Sequence, residues 1–369
     1  MLNFIFECNY CKCNYLNLTT MDKRRCFMKK QFKMATLVST LLTAGLASTS
    51  VTADTLTDVM NKGFLQCGVS QGLPGFSSPN DQGQWEGIDV DVCRAVSAAI
   101  FGDADHVKYT PLSAKERFTA LQSGEIDLLV RNTTETFTRD ASLGLDFVGI
   151  NYYDGQGFMV PKSLGINSAL DLAGATICTN AGTTTEMNAA DYFRSNNMPY
   201  KIVAFEKMDE VVAAFDAGRC DVFTSDRSGL AAQRTKLGNP MDYMILPETI
   251  SKEPLGPVVR HGDNRFGDIV RWSLNLMKNA EEMGVDSANV EQMRTDTSNP
   301  ARNRMLGTAG DMGDKLGIPN NWGFNIIKEV GNYGETYSRN LGPNTPLNLP
   351  RGINNLWNNG GIQYAAPLR

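Results

Sequence analysis

Histidine is almost missing from this chain: His106 and His261 are its only two among 369 residues, and they lie far apart. Metal sites built on several imidazoles, and catalysis by a histidine base, are poorly supplied. Long apolar runs are also lacking. The stretch from Ala35 to Ala47 is too short to span a bilayer, and no comparable run follows. Past residue 53 basic charge is in deficit. Residues 1–53 carry seven basic and two acidic residues; without them 28 Lys and Arg face 38 Asp and Glu, a net charge of about −10. An acidic surface argues against nucleic acid and anionic membranes as partners. What remains is ordinary globular composition, 42% hydrophobic and 20% charged, with room for two domains.

The N-terminal part has the order of an export signal. Met28-Lys29-Lys30-Gln31-Phe32-Lys33 is a positive segment, Ala35 to Ala47 a short apolar one, and Val51-Thr52-Ala53 supplies small residues for cleavage. Residues 28–53 are therefore expected to be a signal peptide, with the mature chain starting at Asp54 and exported to the periplasm. No cysteine stands at the cleavage point, so no lipid anchor is expected. Residues 1–27 are read as an upstream artefact preceding a start at Met28. Their Cys8-x-x-Cys11 is half a zinc site without a second half at usable spacing, and no metal is expected.

Four cysteines follow: Cys67, Cys93, Cys178 and Cys220. In an oxidising compartment an even count suggests two disulfides, and four cysteines allow three pairings. Buried free thiols are the alternative. Placement favours Cys67 with Cys93, where a strand meets the helix packing back on it. It also favours Cys178 with Cys220, on strands able to lie side by side.

Strands and helices alternate. Phe64–Val69, His106–Thr110 and Ile126–Val130 read as strands, with helices at Val90–Phe101 and Ala114–Ser123. The pattern repeats with strands Ala175–Thr179, Lys201–Phe205 and Cys220–Thr224 and helices Thr185–Ser195 and Met208–Ala217. This predicts an α/β fold of two lobes, each a mostly parallel sheet covered by helices. Crossings between lobes are expected near Tyr153–Gly157 and Lys252–Arg260. The first lobe then begins at 54–154, the second occupies 155–259, and 260–369 returns to the first lobe. The return opens with a helix at Arg265–Glu282. Beyond residue 295 the composition turns to Asn, Gly and Pro, which reads as a tail on the surface of the first lobe, anchored by Trp322, Trp357 and Tyr364.

Ligands of open α/β sheets bind at the carboxyl ends of strands, and three segments put polar groups there. Arg131-Asn132-Thr133-Thr134 follows a strand, with Arg139 offering a planar fork suited to a carboxylate. Ala181-Gly182-Thr183-Thr184-Thr185-Glu186 opens a helix whose N-terminus attracts an anion; Glu186 also fits a capping box. Asp226 stands just past the strand Cys220–Thr224 and can hold an ammonium. Each alone reads more simply as a cap or a solvated surface residue. Together they are the parts for a zwitterion. Charged hydrogen bonds contribute about 1.5–3 kcal/mol each, and four or five exceed the roughly 8 kcal/mol of micromolar binding.

Gly87-Ile88-Asp89-Val90-Asp91 resembles a signature of periplasmic amino-acid-binding proteins. Leu121-Gln122-Ser123-Gly124-Glu125-Ile126-Asp127, the Thr134 to Arg139 spacing, Gly182-Thr183-Thr184 and Gly218-Arg219-Cys220-Asp221 with Asp226 follow in that family's order. Arg339-Asn340-Leu341-Gly342 and Leu356-Trp357 with Gly360-Gly361-Ile362-Gln363-Tyr364 resemble its general L-amino-acid-binding subfamily. The resemblance implies a type II periplasmic-binding-protein fold with two hinge crossings. It implies a monomer that holds L-amino acids of broad range and hands them to an inner-membrane ABC permease, with no cofactor and no catalysis. It assigns Arg139, Thr134 and Thr184 to the α-carboxylate, and Asp226 with Asn132 to the α-ammonium. Asp89 and Asp91 are expected to cap and orient a helix. Leu73, near Phe76, stands where relatives place an aromatic ring over the ligand. Arg131 either favours acidic ligands or pairs inertly with Asp127.

Two enzyme readings compete. Gly68-Val69-Ser70-Gln71-Gly72 matches a nucleophile elbow, but its strand runs into a loop holding Pro74 and Gly75 where a helix is needed. A periplasmic dehydratase on the same fold would need an acid in the cleft, with Glu86 or Glu186 as candidates.

Overall fold

The computed structural model describes residues 54–369. The expected signal peptide, the upstream segment and its cysteines lie outside the described residues.

Two five-stranded sheets form the frame. The first runs Val107–Pro111, Leu65–Val69, Leu128–Leu129, Val258–Arg260, Leu145–Phe147 across its width. The second runs Lys201–Phe205, Thr176–Asn180, Val222–Asp226, Gln156–Pro161, Tyr243–Ile245. In each, the first three strands are parallel and the last two antiparallel. The common order places three strand ends of each sheet toward one gap. This is the two-lobed α/β architecture expected, with antiparallel edges added.

Between the sheets the chain crosses twice, and the crossings pair. Tyr152–Asp154 runs antiparallel to Glu253–Leu255, with Glu253 opposite Asp154 and Leu255 opposite Tyr152. A two-stranded ribbon bends more readily than a packed sheet, so this is the hinge.

The first sheet's strand Leu65–Val69 is bridged to the helix Ile88–Phe101 through Cys67 and Cys93, whose Cα atoms lie 6.3 Å apart. Cys178 and Cys220 are joined in the second lobe, with a Cα separation of 5.7 Å. Both separations suit a disulfide. The helix Ile88–Phe101 starts at Gly87, where φ is +130° and a Cβ would collide with the Phe76 carbonyl. Only glycine fits, which gives the Gly87-Ile88-Asp89 motif its physical meaning. In the second lobe alternate strand residues serve opposite faces. Cys178 and Phe223 enter one apolar cluster, Ile177 and Val222 the other.

The segment beyond residue 295 differs from expectation. It forms short helices, among them Pro300–Met305, Trp322–Glu329 and Tyr333–Asn340. Trp322, Ile326, Tyr333 and Tyr337 join the core of the first lobe instead of lying on it. Of the aromatic anchors expected, only Trp322 is buried. Trp357 and Tyr364 are exposed and meet each other edge-on at 5.6 Å. The tail also ties down the hinge. Asn354 accepts from the Tyr153 N–H at 2.7 Å and donates to its carbonyl at 2.9 Å, and the Tyr333 hydroxyl donates to the Asn151 carbonyl at 2.7 Å. Trp322–Glu329 packs on Ile88–Phe101, and Arg339 and Asn340 both reach Asp91.

Candidate functional site between the lobes

A small cavity of about 50 Å³ lies where the strand ends of the two sheets converge. From the first lobe, Leu73, Arg117, Arg131, Asn132 and Thr134 reach it; from the second, Thr183, Thr184, Asp226 and Gln233.

Each wall is held by its local structure. Asn132 has a φ of +32°, a left-handed backbone that asparagine tolerates. Its N–H donates to Asp89 at 2.7 Å, and Asp89 also accepts from the Asn151 side chain at 2.8 Å. Asp89 therefore fixes the loop that carries the site, while Asp91 anchors the tail. Neither lines the cavity. Leu73 is buried in its wall; Phe76 is turned into the core against Tyr152, 5.3 Å away. Across the gap, Thr183 caps the helix Thr184–Ser195, accepting from the Glu186 N–H at 3.2 Å. Glu186 in turn accepts from the Gly182 N–H at 3.0 Å. Gly182 has a φ of +75°, and a Cβ there would stand 2.9 Å from the Lys115 side chain. The glycine lets the first lobe come close.

Arg117 and Arg131 are buried and line the cavity. Arg117 has one long contact, 3.4 Å to the Thr133 hydroxyl, and its Nε has no partner among the described residues. Arg131 donates to the Leu112 carbonyl at 2.8 Å. It does not pair with Asp127, which is taken by Lys62 and by the Gln66 N–H at 2.7 Å. Arg139 is buried beside them but is not among the lining residues. It donates to the Thr134 carbonyl at 2.8 Å, and its guanidinium shares the Phe118 ring with that of Arg117.

Glu253, in the hinge, is the hub of the site. Its carboxylate accepts from Thr134 at 2.6 Å, Thr184 at 2.9 Å, Asn188 at 2.8 Å and Ser251 at 2.6 Å. One hinge residue thus ties hydroxyls from both lobes. Asp226 closes the far side, with the Asn132 amide 3.5 Å away.

The electrostatics are unbalanced on both walls. Burial, with Arg131 and Arg139 nearby, holds the Arg117 guanidinium well below its usual range. Burial lowers Arg131 to about 10, and lowers Arg139 too. Burial, then Asp154 and Glu253, push Asp226 well above the usual carboxylate range. Burial also lifts Asp154 to about 6. Asp226 and Glu253 face the arginines, and Asp89 lies beside Arg131, yet none of the three arginines closes a salt bridge among the described residues.

The enzyme readings fail on geometry. Ser70 is folded into its own loop, donating to the Ser77 carbonyl at 2.9 Å. Glu86 is exposed outside the cavity, and Glu186 serves as a cap.

The family model of bacterial extracellular solute-binding proteins, family 3, matches residues 65–285. The chain belongs to this family. As a family 3 protein it is 55% identical to the general L-amino acid-binding periplasmic protein AapJ of Rhizobium johnstonii. That match runs over 344 residues, 93% of this chain and all of the relative. It is 53% identical over 342 residues to the glutamate/glutamine/aspartate/asparagine-binding protein BztA of Rhodobacter capsulatus, again covering 93% of this chain and all of the relative. Its structure is similar to a periplasmic binding protein from Brucella ovis solved with glutathione bound. The TM-score is 0.84 at 60% identity, covering 86% of this chain and 100% of the other. These family 3 relatives are binding proteins, and the dehydratase reading finds no support among them.

Three residues central to this geometry escaped the sequence reading: Arg117, Glu253 and Gln233. A signal existed for two. Arg117 shares the buried stripe of its helix with Ala120 and Leu121, and Gln233 that of Leu230. A polar residue on a core-facing stripe is the pattern to search for. Glu253 shows its role only once the hinge strands pair.

Proposed function

We propose that this chain is the periplasmic binding component of an ABC importer, holding L-amino acids of broad range by their shared zwitterion. The observation that carries the reading is the cavity itself, with its unpaired guanidinia on one wall and its raised-pKa aspartate on the other. The α-carboxylate is assigned to the arginine cluster, Arg117 and Arg131 at the surface with Arg139 behind them, and to the backbone N–H groups at the start of the helix at Thr183 and Thr184. The α-ammonium is assigned to Asp226 and Asn132, with Leu73 over the side chain. AapJ, BztA and the glutathione-bound protein support this, since the glutamyl end of glutathione also carries a free amino-acid zwitterion. The protein acts as a monomer, with lobes at 54–154 plus 260–369 and at 155–259, and delivers its ligand to an inner-membrane permease.

The test is calorimetry on residues 54–369 against the twenty amino acids. Binding of many is expected. Arg139→Ala abolishes binding of all alike; loss of acidic ligands only would show that Arg139 reads side chains. Asp226 must be ionised to pair with an ammonium, so affinity falls as pH drops through its raised value. Asp226→Asn flattens that dependence.

A further inference from the structure

Gln233 lines the same cavity and is 1% exposed, yet neither its Nε2 nor its Oε1 meets a partner among the described residues. Buried amides are nearly always hydrogen-bonded, and leaving such a group unsatisfied is strongly unfavourable. We infer that Gln233 is a specificity-determining residue that selects ligands whose side chain ends in a carboxamide, with a carboxylate second.

Its position fits that task. Asp226 starts the helix Arg227–Arg234, and Gln233 stands seven residues on. Seven residues is nearly two turns, about 10 Å along the axis, and both side chains line the same cavity. Helical side chains lean toward the N-terminus, which brings the Gln233 amide back toward Asp226. A ligand with its ammonium at Asp226 therefore points its side chain along this helix. Leu73 and Met208 give that path apolar walls for methylene groups.

A carboxamide answers both ends of the Gln233 amide, its oxygen accepting from Nε2 and its NH₂ donating to Oε1. A carboxylate accepts from Nε2 but has no proton for Oε1. An apolar side chain of equal length leaves both unpaired. Sites built to hydrogen-bond a substrate group discriminate strongly against analogues that lack it. The order expected is glutamine, then glutamate, then methionine.

This inference rests on the cavity being an amino-acid site. The experiment measures affinities of residues 54–369 for glutamine, methionine and alanine, before and after Gln233→Leu. In the unaltered protein glutamine binds about tenfold or more tighter than methionine. In Gln233→Leu that ratio falls to about one, and glutamine loses far more affinity than alanine, which is too short to reach Gln233. Equal binding of glutamine and methionine by the unaltered protein overturns the inference. So does an equal loss for all three ligands in the variant, which marks a structural role. Absence of binding to any of the three overturns the amino-acid reading itself.

Discussion

A hydroxyl has one proton to give, and Thr134 and Thr184 both give theirs to Glu253. What they present to the cavity is therefore an oxygen lone pair, suited to an ammonium more than to a carboxylate. Both threonines meet one oxygen of this carboxylate, and Asn188 and Ser251 meet the other. Glu253→Gln therefore sets an amide NH₂ against one of these two pairs of donors, and the hub that holds both threonine protons away from the ligand is weakened. Loss of one charge-assisted arrangement of this kind is worth about 1.5 kcal/mol, so amino-acid affinity falls about tenfold. Calorimetry checks this, with each amino acid compared to its analogue lacking the amino group. The analogue should lose far less. At this scale the sequence was partly legible: Thr134, Thr184 and Asp226 stand at strand ends, where chain direction alone puts them at the gap. Arg117 and Gln233 sit within helices, where the stripe they share with buried apolar residues marks them as turned inward but does not say that they face a cavity.

Among the elements, the helix Asn264–Glu282 carries an unusual load. Its Lys278 is buried, donates to the Ile150 carbonyl at 2.7 Å, and is drawn down to about pKa 7 by burial. Unfolded, a lysine titrates near 10.4. Between about pH 7 and 10 the unfolded chain therefore binds more protons than the folded one, and stability rises with pH across that window. Below it both forms are protonated and the slope vanishes. Lys278→Met should flatten the rise, read from thermal midpoints of the two proteins across the window; an unchanged slope would mean another group carries it. The strand–helix alternation was readable because the longer helices show a clear period and some stop at a glycine, as at Gly102 and Gly124. The helices after residue 295 were not. They run five to eight residues, too short for a period to declare itself, and Asn, Gly and Pro between them mimic a loop.

For the molecule as a whole, contacts across the gap decide how long it stays shut. Lys236 of the second lobe donates to the Gly72 carbonyl of the first at 2.7 Å and pairs with Asp209 at 3.4 Å. On the other wall Lys115 stands 4.0 Å from Glu206. Neither latch needs to touch the ligand. Lys236→Ala should speed dissociation about three- to tenfold, by the same factor for every amino acid, with association little changed; stopped-flow measurement reads both rates. A factor that varied with the ligand would make Lys236 part of the recognition surface instead. The two-lobe plan followed from the repeat in the chain, but the latches join residues 164 and 91 positions apart and depend on the closed geometry.

The pairing of Asn354 with both backbone polar groups of Tyr153 has a mechanical consequence. It seals the outer edge of the ribbon about which the halves swing, so the pivot is steered by a stretch of chain that no transported molecule meets. Loosening that clasp alters how far and how fast the jaws travel while leaving their grip untouched.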